Sequence, residues 1–186
     1  MIKHFDEFKK AINEVKGICQ DVFDELGPGF DEDDYQMAMS LEFAKSKKLE
    51  AMREISVELF YKDQYLKFGE LDFLIAPNDK SDYPLPFFIE TKVADSEQTS
   101  SYDQIRRYLM SLPKNDSSLI NKIQIAALIV FKKGSHVTPG EVIEKEGRKT
   151  ILQAPSDIKM PKYKFYINCY YYDEKEKVIK LIDNLF

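Results

Sequence analysis

The run Ile123–Phe131, "IQIAALIVF", leaves little choice of fold. Only Gln124 in it is polar, so it has no face to turn to water. It is short for a helix and rich in strand-forming residues. It therefore reads as a strand buried on both faces, and such a strand needs a packed layer on each side of its sheet.

The rest of the chain supplies those layers. Phe5, Phe8, Ile12, Val15, Cys19, Val22 and Leu26 recur at three- and four-residue spacing, which predicts an amphipathic helix. "LGPGF" at Leu26–Phe30 stops it. A second helix is predicted from Asp31 to about Lys48, with Tyr35, Met39 and Phe43 turned inward. The period then becomes two: Ile55, Val57 and Leu59 alternate with Ser56 and Glu58, as on a strand. After a turn at Tyr61–Tyr65, a second strand is predicted over Leu66–Ala76, with Gly69 as a candidate bulge. A polar loop at Pro77–Pro86 leads to "FFIETK" at Phe87–Lys92, a third strand. Ser100–Leu112 reads as a helix with Tyr102, Ile105, Leu109 and Leu112 on one face. Beyond Phe131, a hairpin around Glu146-Gly147 and strands at Tyr163–Tyr172 and Lys177–Ile182 are expected. The order helix, helix, strand, strand, strand, helix, strand predicts an α/β fold, a mixed central sheet flanked by helices with extra C-terminal strands.

Composition sets the outer limits. At 186 residues and 44% hydrophobic content, one domain spanning 1–186 can build its core without disulfides. No apolar window approaches a membrane span, and "MIKHFDEFKK" lacks the apolar stretch of a signal peptide. With two unclustered cysteines, Cys19 and Cys169, a cytoplasmic protein with free thiols and no membrane partner is expected. The net charge of −5 argues against nucleic-acid binding, but residues 1–34 alone carry −6. The remainder is close to neutral and can hold a basic groove. The only two histidines, His4 and His136, lie at the predicted periphery, which argues against a histidine-based triad or a His-rich zinc site.

The chemistry lies where apolar strands end in charge. On a strand, Glu90 and Lys92 share a face. Asp72 interrupts an otherwise apolar run from Leu71 to Ala76. If the two strands pair antiparallel, Asp72 and Glu90 converge, and two close carboxylates call for a cation between them or a proton on one. An oxygen-rich set of this kind suits Mg²⁺ or Mn²⁺. Taken alone, Glu-x-Lys reads first as an internal ion pair; the preceding Asp72 and the helix that follows are what point to a site. Gln104 and Tyr108, four apart on the next helix, share a face that can bind a phosphate or position a lysine, with Arg107 beside it.

Asp72, Glu90-Thr91-Lys92 and Gln104-Ile105-Arg106-Arg107-Tyr108, in that order, resemble the PD-(D/E)XK nuclease superfamily, and Gln-x3-Tyr is similar to the motif of its RecB-like branch. Leu71 stands where the superfamily's name has proline. Gly29-x2-Glu32-x2-Tyr35 looks like the motif of the GxxExxY proteins of the same superfamily. The resemblance covers roughly residues 20–133, leaving 134–186 as a C-terminal elaboration. It implies a restriction-endonuclease-like core and a divalent-metal-dependent nuclease acting on nucleic acid, DNA ahead of RNA. Asp72, Glu90, the Thr91 carbonyl and Glu32 would hold Mg²⁺ or Mn²⁺. Lys92 would act as base or stabilise charge, with Gln104 and Tyr108 supporting it and the phosphate. Arg107, Tyr108, Lys45, Lys48 and Arg53 would hold the nucleic acid. A homodimer or a larger nuclease assembly is compatible with this reading. The alternatives are a non-catalytic binding module on a nuclease fold and a subunit of a restriction or repair assembly. Asp31–Asp34 also suit the positive end of a helix, and that role does not compete with Glu32 turning inward.

Overall fold

The computed structural model describes residues 4–78, 82–96, 98–136, 141–145, 148–152, 158–159 and 161–186. Its centre is a six-stranded sheet in the order β1-β2-β3-β4-β9-β10. The strands are β1 (Leu49–Tyr61), β2 (Gln64–Pro77), β3 (Phe87–Val93), β4 (Ile125–Phe131), β9 (Phe165–Asp173) and β10 (Val178–Leu181). Neighbours pair antiparallel, except for β3 and β4, which run parallel. A parallel pair needs a crossover, and α3 (Thr99–Ser111) provides it. Helices α1 (Phe5–Leu26) and α2 (Glu32–Phe43) cover the opposite face of the sheet from α3.

β4 confirms what its sequence demanded: every residue from Ile125 to Phe131 is buried. Ile125, Ala127, Ile129 and Phe131 pack with α1 and α2, while Ala126, Leu128 and Val130 pack with α3. β3 divides likewise, with Phe87 and Ile89 on one side and Phe88 on the other. Away from this sheet, β5 (Ser135–His136) pairs β8 (Ile158–Lys159), and β6 (Glu141–Lys145) pairs β7 (Arg148–Leu152). The predicted hairpin thus has its two strands, while Glu146-Gly147 itself lies outside the described residues.

Two boundaries and one bulge differ from expectation. α2 ends at Phe43, not near Lys48. The Ser46 hydroxyl accepts the amides of Lys48 and Leu49 at 3.1 Å, a turn that starts β1 early. β1 begins at Leu49, ahead of the Ile55–Leu59 alternation, and its first residues follow the opposite phase. Leu49 and Ala51 face α1 and α2, but Ile55, Val57 and Leu59 face α3. The switch falls at Glu54, which has a positive φ of 54° and no ladder partner between the pairs Arg53–Phe73 and Ile55–Leu71. Asp72 stands across from it, where β2 switches face too: Leu71 packs toward α3 and Phe73 toward α1 and α2.

The third correction concerns Gly69, which is not a bulge. It pairs regularly with Val57, and the register shift lies between Leu59 and Phe60. A Cβ on Gly69 would come within 2.6 Å of the Tyr108 ring, so glycine is there to admit the tyrosine.

Candidate active site

Past the pair Phe73–Ile89, β2 and β3 stop exchanging ladder bonds although both strands continue. This fork releases the backbone of Thr91 on the β2 side. Asp72 takes over one of the released groups: its Oδ2 accepts the Thr91 amide at 2.7 Å and the Thr91 hydroxyl at 2.7 Å. The Thr91 carbonyl accepts Lys92 Nζ at 2.8 Å. The local switch of face at Asp72 and the charge in "FFIETK" therefore coincide at the point where the two strands part.

Glu90 is wholly buried, and Lys92 Nζ donates to its Oε1 at 2.6 Å. Its Oε2 is buried with no hydrogen-bond partner. Burial, and then the charge of Asp72, push the Glu90 carboxyl up to about 7 against the pull of Lys92. Burial alone would depress the Lys92 ammonium, but Glu90, Glu32 and Asp72 outweigh it and hold the pKa above its usual range.

α2 contributes the third acid. Glu32 Oε1 accepts Lys92 Nζ at 3.1 Å, and burial raises its pKa despite Lys92. The geometry of the helix start explains the Gly29-x2-Glu32-x2-Tyr35 spacing. Gly29 adopts a φ of 100°, a region open to glycine, and the chain then enters the helix. The Asp34 carboxylate accepts the Asp31 amide at 3.1 Å at the helix start. Tyr35 is fully buried, stacks on Phe131 at 4.3 Å between centroids, and donates its hydroxyl to the Gly27 carbonyl at 2.5 Å. The tyrosine fixes the helix over the end of β4, and Glu32, one turn earlier, reaches the site.

Lys92 Nζ thus touches Glu32, Glu90 and the Thr91 carbonyl, three of the four groups expected to hold a metal. The donor set is all oxygen, includes one buried unpartnered carboxylate oxygen, and suits a hard divalent cation. No three His, Cys, Asp or Glu side chains among the described residues converge tightly enough to hold an ion by themselves.

Other predicted residues are placed differently. Tyr108 does not face a phosphate: it is buried, donates its hydroxyl to the Glu70 carbonyl at 2.8 Å and accepts the Glu70 amide at 3.2 Å. Gln104 is half-buried on α3 and forms no hydrogen bond to Lys92, whose described partners are Glu32, Glu90 and Thr91. Arg53 is turned inward, with Nη2 on Glu54 at 2.5 Å and Gln36 at 3.4 Å. Lys45 is exposed and pairs with Glu42, and Lys48 is exposed at the turn into β1. Arg107 is exposed on α3, across the sheet from α2. The five residues expected to hold the nucleic acid, Arg107, Tyr108, Lys45, Lys48 and Arg53, do not form one surface.

Gln36 was missed by sequence reasoning. It is buried, and its Nε2 donates to Thr91 Oγ1 at 2.8 Å. Its position four residues after Glu32, on the same helix face, is the only signal that could have found it.

Among the described residues, no helix is long and apolar enough to cross a membrane. No curated protein and no solved structure matches the chain significantly. A family model, that of the PD-(D/E)XK nuclease superfamily, matches residues 9–134, which takes in both helices of one face, the forked strands, α3 and β4. The match and the fold agree with the forked acidic site: the chain belongs to the PD-(D/E)XK nuclease superfamily.

Proposed function

We propose that this protein is a divalent-metal-dependent nuclease that hydrolyses phosphodiester bonds, with DNA ahead of RNA as substrate. One observation carries the reading. Glu32, Glu90 and the Thr91 carbonyl surround a single ammonium, beside a buried carboxylate oxygen that has no partner. Three acceptors satisfy the three donors of the ammonium, and the open Glu90 Oε2 beside them is the group that an ion pair alone leaves unexplained.

In this reading Asp72, Glu90, the Thr91 carbonyl and Glu32 hold Mg²⁺ or Mn²⁺. Such an ion supplies positive charge to the phosphate oxygens and lowers the pKa of water. Lys92, held as a cation by its three acidic neighbours, donates hydrogen bonds to the phosphate and steadies the developing negative charge. With Glu90, Glu32 and Asp72 engaged by such an ion, less negative charge would face Lys92, and its amine would be able to take a proton from water. Lys132 and Lys133 follow β4 at the same end of the sheet as Lys92, because β3 and β4 are parallel, and they suit the phosphate backbone. The nuclease core lies within about residues 20–133, and the Gly29, Glu32 and Tyr35 geometry favours the GxxExxY group within the superfamily.

The test is cleavage of single- and double-stranded DNA and RNA with Mg²⁺ or Mn²⁺, by wild type and Lys92→Ala. Metal-dependent cleavage by wild type, reduced by at least about 10²-fold in the variant, is the expected result. No cleavage of any substrate, or equal cleavage by the variant, overturns the reading and favours a binding role for the fold.

A further inference from the structure

We propose that Gln36 and the Thr91 hydroxyl are a positioning pair for Asp72, oriented by Arg53. The proposal rests on the metal-site reading of Asp72 given above.

Both members are buried, Gln36 at 5% and Thr91 at 0% exposure. A buried amide must satisfy its two unlike ends, and here they meet unlike partners. Arg53 carries only donors, so the amide end at Nη2, 3.4 Å away, is the carbonyl. That fixes Nε2 toward Thr91 Oγ1 at 2.8 Å. Having accepted there, the Thr91 hydroxyl has one proton left, and it goes to Asp72 Oδ2 at 2.7 Å. Each donor in the chain Arg53, Gln36, Thr91 points toward Asp72, and no member can reverse without leaving a buried group unpaired.

The chain ends on one oxygen. Asp72 Oδ2 takes both the Thr91 hydroxyl and the Thr91 amide, which fixes the plane of the carboxylate. Oδ1 takes part in neither bond and is presented by that plane. Glu90 shows the same division, with Oε1 on Lys92 and Oε2 open. Gln36 lies one turn after Glu32, so a single face of α2 delivers one acid and orients another. If the positions served only packing, leucine and valine would fill them without any polar group to satisfy.

The test uses the full chain and Mn²⁺, with the free ion counted by electron paramagnetic resonance. Gln36→Leu and Thr91→Val should each weaken Mn²⁺ binding about tenfold, the usual scale for groups that orient metal ligands. The double variant should be no weaker than about its weaker parent, because both changes cut one chain. Thr91→Ser should restore wild-type affinity, which a purely packing role for the threonine methyl would not. Thr91→Val is isosteric and carries the test if Gln36→Leu does not fold. Wild-type affinity in folded Thr91→Val, full additivity in the double, or failure of Thr91→Ser to restore binding overturns the positioning role alone. No Mn²⁺ binding by wild type overturns the metal-site reading and this role with it.

Discussion

Helices α2 and α3 flank the same pair of central strands and do different work. α2 has a mixed surface, with Tyr35, Met39 and Phe43 buried while Met37 and Leu41 are exposed. Its first turn places Glu32 on Lys92, and its second places Gln36 on Thr91. α3 has the cleaner apolar face, through Ile105, Tyr108 and Leu109. Its polar groups serve as braces. Tyr108 clamps Glu70 of β2, Ser111 Oγ accepts the Phe60 amide at 3.1 Å, and Asn115, just beyond the helix, bonds both the amide and the carbonyl of Glu58. The Ser111 and Asn115 bonds occupy the outer edge of β1, which would otherwise offer free ladder groups to another chain. A Gln-x3-Tyr helix next to a charged strand thus need not turn its polar groups to that strand's charged end. In this chain the helix that starts at the site supplies the acid, and the helix that crosses over the sheet stiffens the fork.

The sharpest way to break the contrast is to detach α2. Tyr35→Ala removes a ring stacked on Phe131 and the bond to the Gly27 carbonyl, and should cost about 3–5 kcal/mol of stability in denaturant unfolding. A cost under about 1 kcal/mol would mean that Tyr35 does not anchor the helix. The α3 side predicts smaller effects. Asn115→Ala leaves a strand amide and carbonyl unpaired and should cost about 1–3 kcal/mol, with Tyr108→Phe near 1 kcal/mol. Neither should reduce metal affinity, because neither touches an acid of the site. A fall in Mn²⁺ affinity of tenfold or more in folded Tyr108→Phe would restore that tyrosine to the site.

The acids on the α2 side also predict a pH dependence that α3 lacks. Glu90 titrates near 7 in the folded chain, above the ordinary range of an unfolded glutamate. Between these values the folded state holds the extra proton, so stability of the metal-free protein should fall as pH rises from about 4.5 to 7. Glu32 is shifted the same way and adds to the trend. The exposed Asp24 and the half-buried Asp173, whose pKa values are lowered by lysine partners, act in the opposite direction but at more acidic pH. Cation binding runs the other way from stability: affinity should climb with pH until Glu90 is ionised. Melting curves of wild type and Glu90→Gln from pH 5 to 7.5 check the sign. The slope should flatten in the variant, and equal slopes would remove Glu90 as the cause.

Much of this was legible in the residues. β4 and "FFIETK" announce themselves because burial on both faces leaves no choice of residue type. Asp72 stood out as one charge in an apolar run. The start of β1 was hidden because its alternation changes phase at Glu54, and a period-two pattern cannot be followed through such a switch. Gly69 was misread because the partner that needs its missing side chain, Tyr108, lies 39 positions away in the sequence. Gln36 gave no local sign, since its importance depends on Thr91, 55 residues further on.

One comparison addresses the central claim directly: cleavage by Glu32→Gln beside Gln104→Ala, under the metal conditions that support wild type. With α2 supplying the site, Glu32→Gln should lose at least about 10²-fold in rate. Gln104→Ala, on α3, should stay within about twofold of wild type, as for a substitution away from the chemistry. A full-rate Glu32→Gln, or a Gln104→Ala that falls as far as Lys92→Ala, would contradict the division of labour between the two helices.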